Sequence, residues 1–191
     1  MKPTRAMLRS LSATIVLAMW AVSVQGQFTS EVINGALTIT GYAGPGGAVV
    51  IPGAVNGVPV VSIGEDAFAH ARLTSVTIPS SVITIGSWAF EFCYGLTNAT
   101  IGDGVVSVGE AAFWSCSNLT SVVIPSGVTS IGNGAFAFCS KLTNITIPNS
   151  VTDIAESAFS ACTRLTSAVI PSSVTSIEDQ TFQDCTGLTN V

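Results

Sequence analysis

Five cysteines, Cys93, Cys116, Cys139, Cys162 and Cys185, stand 23 residues apart. Evenly spaced thiols invite three chemistries: disulfide bonding, metal binding and nucleophilic attack. If the period is structural, the five occupy one equivalent position in successive coils. Coils spaced as β-strands are would bring their Cα atoms within disulfide range. Equivalent positions, however, carry parallel Cβ directions, and an odd count leaves one thiol over. Cys-x22-Cys without histidine partners lacks the ligand spacing of a zinc site. Ala71 fills the same place in the first unit, so the position asks for something small and apolar. A buried, reduced column is predicted.

The remaining candidates for chemistry are thin. Glu65, Glu110, Glu156 and Asp179 share one repeat position, with Ser87 and Asn133 in the same place. A Ca2+ column is the sharper reading of these acids. The plainer one is that they meet the free N–H groups at the start of a short helix, as Ser and Asn do without charge. His70 is the sole histidine, read as a partly packed surface residue. General acid–base catalysis has no second histidine and no matched carboxylate pair to work with. The chain is therefore read as a non-enzyme that needs no metal and no cofactor.

Composition narrows the partners. Only 9 % of the 191 residues are charged, and the formal charge is −5. Lys2, Arg5 and Arg9 sit at the extreme N-terminus, which leaves Arg72, Lys141 and Arg164 against all 11 acids, a charge of −8 past residue 26. Phosphate binding needs clustered Lys and Arg, so nucleic acid is excluded as a partner. Residues 1–26 read as a secretory signal peptide. A basic start precedes the apolar run Leu11–Val24, too short for a comfortable span of about 20 residues, and small residues follow. Cleavage is expected after Gly26, with Ser23 as the other site and an uncleaved anchor as the competing reading. No later stretch is apolar and long enough to span a bilayer.

The 23-residue step runs through much more than the cysteines. Val82, Val105, Val128, Val151 and Val174 keep it, as do Phe90, Phe113, Phe136, Phe159 and Phe182, and Leu96, Leu119, Leu142, Leu165 and Leu188. An earlier unit begins at Val60, with Phe68 and Leu73 in matching places, so six units cover residues 60–191, the last incomplete. Within 128–150, Leu142, Ile145 and Ile147 have strand alternation, closed by Pro148, which cannot donate to a ladder. Ala135, Phe136 and Cys139 are spaced i, i+1, i+4, which predicts a helical turn or two pressing one face inward. No single 23-mer buries these groups alone; stacking does. The fold predicted is an α/β repeat: a solenoid with short parallel strands on one face and short helical turns on the other.

The pattern I-G-x-x-A-F-x-x-C-x-x-L-T-x-V-x-I-P resembles the BspA-like class of leucine-rich repeats and spans all six units. Gly102 stands for the Pro, Ala155 and Glu178 for the Gly, Thr181 for the Ala and Ala71 for the Cys. The resemblance implies adhesion or protein interaction at a cell surface, often as one module of a longer chain.

Residues 27–59 read as an N-terminal cap holding a degenerate first repeat, since Ala48–Pro52 (AVVIP) echoes a repeat strand. The sixth unit stops at Val191 before its Ile-Pro, and the chain is expected to be a fragment. Thr74, Thr97, Thr120, Thr143, Thr166 and Thr189 follow every repeat Leu, a place for hydroxyl–backbone bonds. Thr77, Thr100, Val123, Thr146 and Val169 lie between inward strand positions and face out. They form the candidate partner-binding face, flat and uncharged, for a protein or glycan ligand. Asn98, Asn118 and Asn144 head N-x-Thr sequons, which matter only in a glycosylating host. Trp88 and Trp114 break their columns on the side predicted helical and could anchor a partner. The whole reads as a secreted or cell-surface interaction module, with a structural spacer as the alternative.

Overall fold

The computed structural model describes residues 27–33 and 35–189; the expected signal peptide lies outside the described residues. The cap and coils one to five each contribute a strand to each of two parallel rows. The first row holds β3 (Gly47–Val50), β6 (Leu73–Thr77), β8 (Asn98–Thr100), β10 (Ser121–Val123), β12 (Asn144–Thr146) and β14 (Ser167–Val169). β3, β6, β8 and β10 form one parallel ladder, and β12 pairs with β14. All six strands are followed by Ile-Pro or Ile-Gly, and inward Ile51, Ile78, Ile101, Ile124 and Ile147 are buried there.

The second row is made of two-residue strands in the repeats: β7 (Thr84–Ile85), β9 (Ser107–Val108), β11 (Ser130–Ile131) and β13 (Asp153–Ile154). It continues backward through β5 (Val58–Ile63) to β2 (Ala36–Tyr42), all parallel. β1 (Phe28–Ile33) then lies antiparallel on β2, and β4 (Ala54–Val55) antiparallel on β5. A glycine follows the second row in coils one to four for a steric reason. A Cβ on Gly109 would lie 2.7 Å from the Gly86 carbonyl carbon, and one on Gly132 2.6 Å from that of Gly109. Successive backbones meet there with no room for a side chain.

The expected helical turns are not present. The segment carrying Ala135, Phe136 and Cys139, and its counterparts, is a run of tandem tight turns. Two residues per coil, four apart, have positive φ: Trp88 (54°) and Phe92 (54°), Ala111 (49°) and Ser115 (55°), Gly134 (58°) and Phe138 (59°). An α-helix of L-residues cannot hold such left-handed positions. The reason they form is hydrogen bonding between coils. The N–H groups of Trp88, Phe90 and Phe92 donate to the carbonyls of Glu110, Ala112 and Trp114 in the next coil, at 2.8, 2.7 and 2.9 Å. The N–H groups of Glu91 and Cys93 instead close turns on Trp88 and Phe90 within the coil, at 2.9 and 3.3 Å. Alternate donors are thus shared with the neighbour, which an i→i−4 helix would not allow. The i, i+1, i+4 spacing fits both conformations, because both press the same residues inward.

The core is a set of columns. Phe68, Phe90, Phe113, Phe136 and Phe159 are fully buried and stack from coil to coil, with ring centroids 4.9, 5.0, 5.3 and 5.6 Å apart. Tyr42 extends the stack below Phe68 at 5.3 Å, and Phe182 ends it at 5.5 Å from Phe159. Burial of each interior ring contributes about 2–3 kcal/mol. In the sixth coil Val174, Phe182 and Leu188 are only partly buried, and Ile177 is 48 % exposed. Among the described residues no helix is long and apolar enough to cross a membrane.

Candidate functional site: two opposed faces of the solenoid

The strand face presents the candidate row in register. Val50 pairs with Thr77, Thr77 with Thr100, Thr100 with Val123, and Thr146 with Val169. All six point outward, with Val50, Val123 and Val169 exposed by 71, 75 and 59 %. Beside it runs a second outward row, Ser75, Asn98, Ser121, Asn144 and Ser167, which places two of the three sequon asparagines on this face. No charged residue belongs to either row. Strand backbones are paired from β3 to β10 and between β12 and β14, with no ladder between β10 and β12, so within each sheet the face meets a partner through its side chains.

The row of threonines after each leucine has a different role. Thr97, Thr120, Thr143, Thr166 and Thr189 each donate their hydroxyl to the carbonyl of the preceding coil's threonine, at 2.9, 3.0, 3.5, 3.0 and 3.2 Å. These hydroxyls staple the coils at the strand's entry and are not free for ligand.

The five cysteines are free and buried. Each Sγ lies 3.1–3.3 Å from a phenylalanine carbonyl of the preceding coil: Cys93 on Phe68, Cys116 on Phe90, Cys139 on Phe113, Cys162 on Phe136 and Cys185 on Phe159. That carbonyl already accepts the N–H that closes its own turn, so the thiol supplies its second donor. The position therefore asks for more than a small apolar residue. Ala71 suffices in the first coil because no tandem-turn phenylalanine precedes it. Burial pushes the Cys93 and Cys139 thiols up to about 12 and raises Cys116 as well, which makes them inert as nucleophiles.

Glu65, Glu110, Glu156 and Asp179 have no helix to cap. Their place in the turn is set by the backbone: the carbonyls of Glu110, Glu156 and Asp179 accept the N–H groups of Trp88, Gly134 and Ser157. Their side chains are exposed, and among the described residues no three His, Cys, Asp or Glu side chains converge as a metal site. His70 is exposed at positive φ and stacks on Phe92 at 4.9 Å.

The turn face carries what the sequence columns understated. Trp114 lies 5.9 Å from Phe92 and 6.0 Å from Phe138, ring centroid to ring centroid. Trp88, Trp114 and Phe138 border a trough of about 450 Å3 whose other end is formed by Gln180, Gln183 and Asp184. Trp88 and Trp114 stand out in the sequence by breaking their columns; Phe138 does not, because its column reads His, Phe, Ser, Phe, Ala, Asp without an evident rule.

The fold and both faces now bear comparison with known proteins. The family described as "BspA type Leucine rich repeat region" matches residues 61–189 in six copies. The chain belongs to the BspA-type leucine-rich repeat family. This BspA-type solenoid is similar to a leucine-rich repeat protein of T. pallidum, with a TM-score of 0.86 and 34 % identity, over 87 % of this chain and 79 % of that one. It is also similar to a leucine-rich repeat protein of Bacteroides ovatus, with a TM-score of 0.70 and 31 % identity, over 86 % of this chain and 51 % of that one. A leucine-rich cell surface protein of Faecalibacterium prausnitzii matches with a TM-score of 0.51 and 31 % identity, over 76 % of this chain and 53 % of that one. The BspA-type chain thus spans about half the length of the last two. No curated protein matches it.

Proposed function

We propose that this BspA-type chain is an exported interaction module, secreted or held at a cell surface, that contacts a protein partner through its strand face. The observation that carries the reading is the row Val50, Thr77, Thr100, Val123, Thr146 and Val169, which runs through the cap and coils one to five. Three exposed valines on an uncharged face offer desolvation at little polar cost. A family of repeat proteins, and a relative described as a cell surface protein, support an interaction role and a surface location. The basic, then apolar, then small-residue order of residues 1–26 supports export. Residues 27–59 act in this reading as the cap on the first coil, and no catalysis is assigned.

The test compares the immobilised wild-type chain with Thr100→Lys and Thr146→Lys variants against a solubilised, labelled preparation of cell-surface proteins. Both sites are exposed, so the variants fold. A protein retained by wild type and lost by both variants supports the strand face. Equal retention on all three refutes the assignment of the face. The absence of any retained partner favours a structural spacer, which the continuous stacking of coils would also serve.

A further inference from the structure

The turn face carries bulky side chains at two backbone positions that smaller residues fill in other coils. Trp88 and Phe138 adopt φ of 54° and 59°, a conformation that bulky L-residues rarely take. Phe138 leaves 49 % of its surface exposed, so burial does not offset that cost. The same two columns hold Ala111, Gly134, Ser157 and Ala161 in other coils, residues that meet the backbone's need more cheaply. The backbone there serves the fold in every coil, but bulky rings at these positions, one of them half exposed, are not needed for it and point to a functional surface.

Register explains the shape of the trough. One column runs Trp88, Ala111, Gly134, Ser157, Gln180 and the next Trp114, Ala137, Ser160, Gln183. Large groups stand at the ends and small ones form the floor. The trough crosses five consecutive coils, a length of about 19 Å at the strand spacing of about 4.8 Å. One end is aromatic, and the other carries amides and a carboxylate.

From this we infer that the trough binds a neutral, linear oligosaccharide, independently of the strand face. Indole and phenyl faces match the C–H faces of sugar rings, and the planar groups of Asn133, Gln180, Gln183 and Asp184 match vicinal hydroxyls. An extended peptide fits less well. The N–H groups of Trp88, Ala111, Gly134, Phe138 and Ser157 are already bonded to the next coil, so along coils two to five no backbone edge is open for strand addition. An anionic ligand has no cation to meet, since neither Lys nor Arg lines the trough. A single cationic group fits poorly too, because Glu110 and Asp184 stand three coils apart, about 14 Å at the same spacing. Trp114 has a buried Nε1 with no hydrogen-bond partner.

Trp88 and Trp114 make intrinsic fluorescence a direct reporter, since Trp20 is the only other tryptophan. The full chain is titrated with the linear hexasaccharides of glucose, N-acetylglucosamine and mannose, and with hexalysine. A saturable blue shift with at least one saccharide, unchanged in 0.5 M salt, is expected. Phe138→Ala, at an exposed position, should weaken that affinity at least tenfold with an unchanged melting temperature, and Ser160→Tyr, which fills the floor, should abolish it. Thr100→Lys should leave it unaltered, which separates this site from the strand face. No saturable response to any saccharide overturns the inference, as does a response to hexalysine alone that salt removes. Binding unaffected by both trough variants overturns it equally.

Discussion

The strand face and the turn face are built on the same 23-residue step and are both hydrogen-bonded from coil to coil, yet their side chains follow opposite logic. On the strand face, period-two alternation sends one residue in and the next out, and every coil offers Thr, Val, Ser or Asn. On the turn face the backbone is just as regular, with positive φ at the same two positions of every coil, but the side chains run from Gly134 to Trp88 and from Ala161 to Phe138. Regular side chains on a regular backbone describe a scaffold or a repeated contact. Irregular side chains on a regular backbone describe a surface with an address.

The comparison breaks first at the shared core. Phe113 is fully buried between the rings of Phe90 and Phe136. Phe113→Ala should cost about 5 kcal/mol, the upper end for such truncations, and lower the midpoint of denaturant unfolding for both faces together. If only the turn face loosens, the two faces are not one cooperative unit.

Next in size is a pH effect specific to the turn side. Burial raises the Cys93, Cys116 and Cys139 thiols above their unfolded value of 9.0. The unfolded chain therefore releases these protons first as pH rises. Stability is full below pH 9 and falls from there toward the folded value of about 12. The loss at pH 10 is about 1.4 kcal/mol per thiol, about 4 kcal/mol for the three. Unfolding measured between pH 7 and 10 should show this decline. Replacing the three by alanine should flatten the decline while lowering stability at pH 7, because each Phe carbonyl then loses a donor.

A smaller effect has a diagnostic sign. Ala161 has a φ of 56°, so Ala161→Gly should stabilise the chain by about 1 kcal/mol by relieving the left-handed conformation. In a helix the same change would cost about 1 kcal/mol. Thermal unfolding of this one variant thus tells tandem turns from helical turns. The smallest effect belongs to the strand face: Thr146→Lys, exposed and without a hydroxyl staple, should change stability by less than about 0.5 kcal/mol while altering partner retention.

The legibility of these features in the sequence follows how local each one is. The inward strand residues Leu142, Ile145 and Ile147 were readable because alternation is local to the strand. The outward row was readable for the same reason. Cys139 was recognisable as buried, but its acceptor was not, since the Phe113 carbonyl lies 26 residues away. The helical expectation failed at Phe136 because Ala135, Phe136 and Cys139 would face inward in either conformation. Trp88 and Trp114 signalled themselves by breaking columns. Phe138 became meaningful only beside them.

The sequence by itself determined the number of coils, the columns that fill the core and the face each strand residue takes, because a repeat of fixed length leaves one register in which Val, Phe, Leu and Cys all meet their own kind. Only the tertiary structure decided the conformation of the turns and the place of the aromatic trough. Whether an N–H bonds within its own coil or to an acceptor 22 residues further on is settled by coils already stacked. That choice sets φ at Trp88 and Phe138, and with it the direction in which those rings leave the chain.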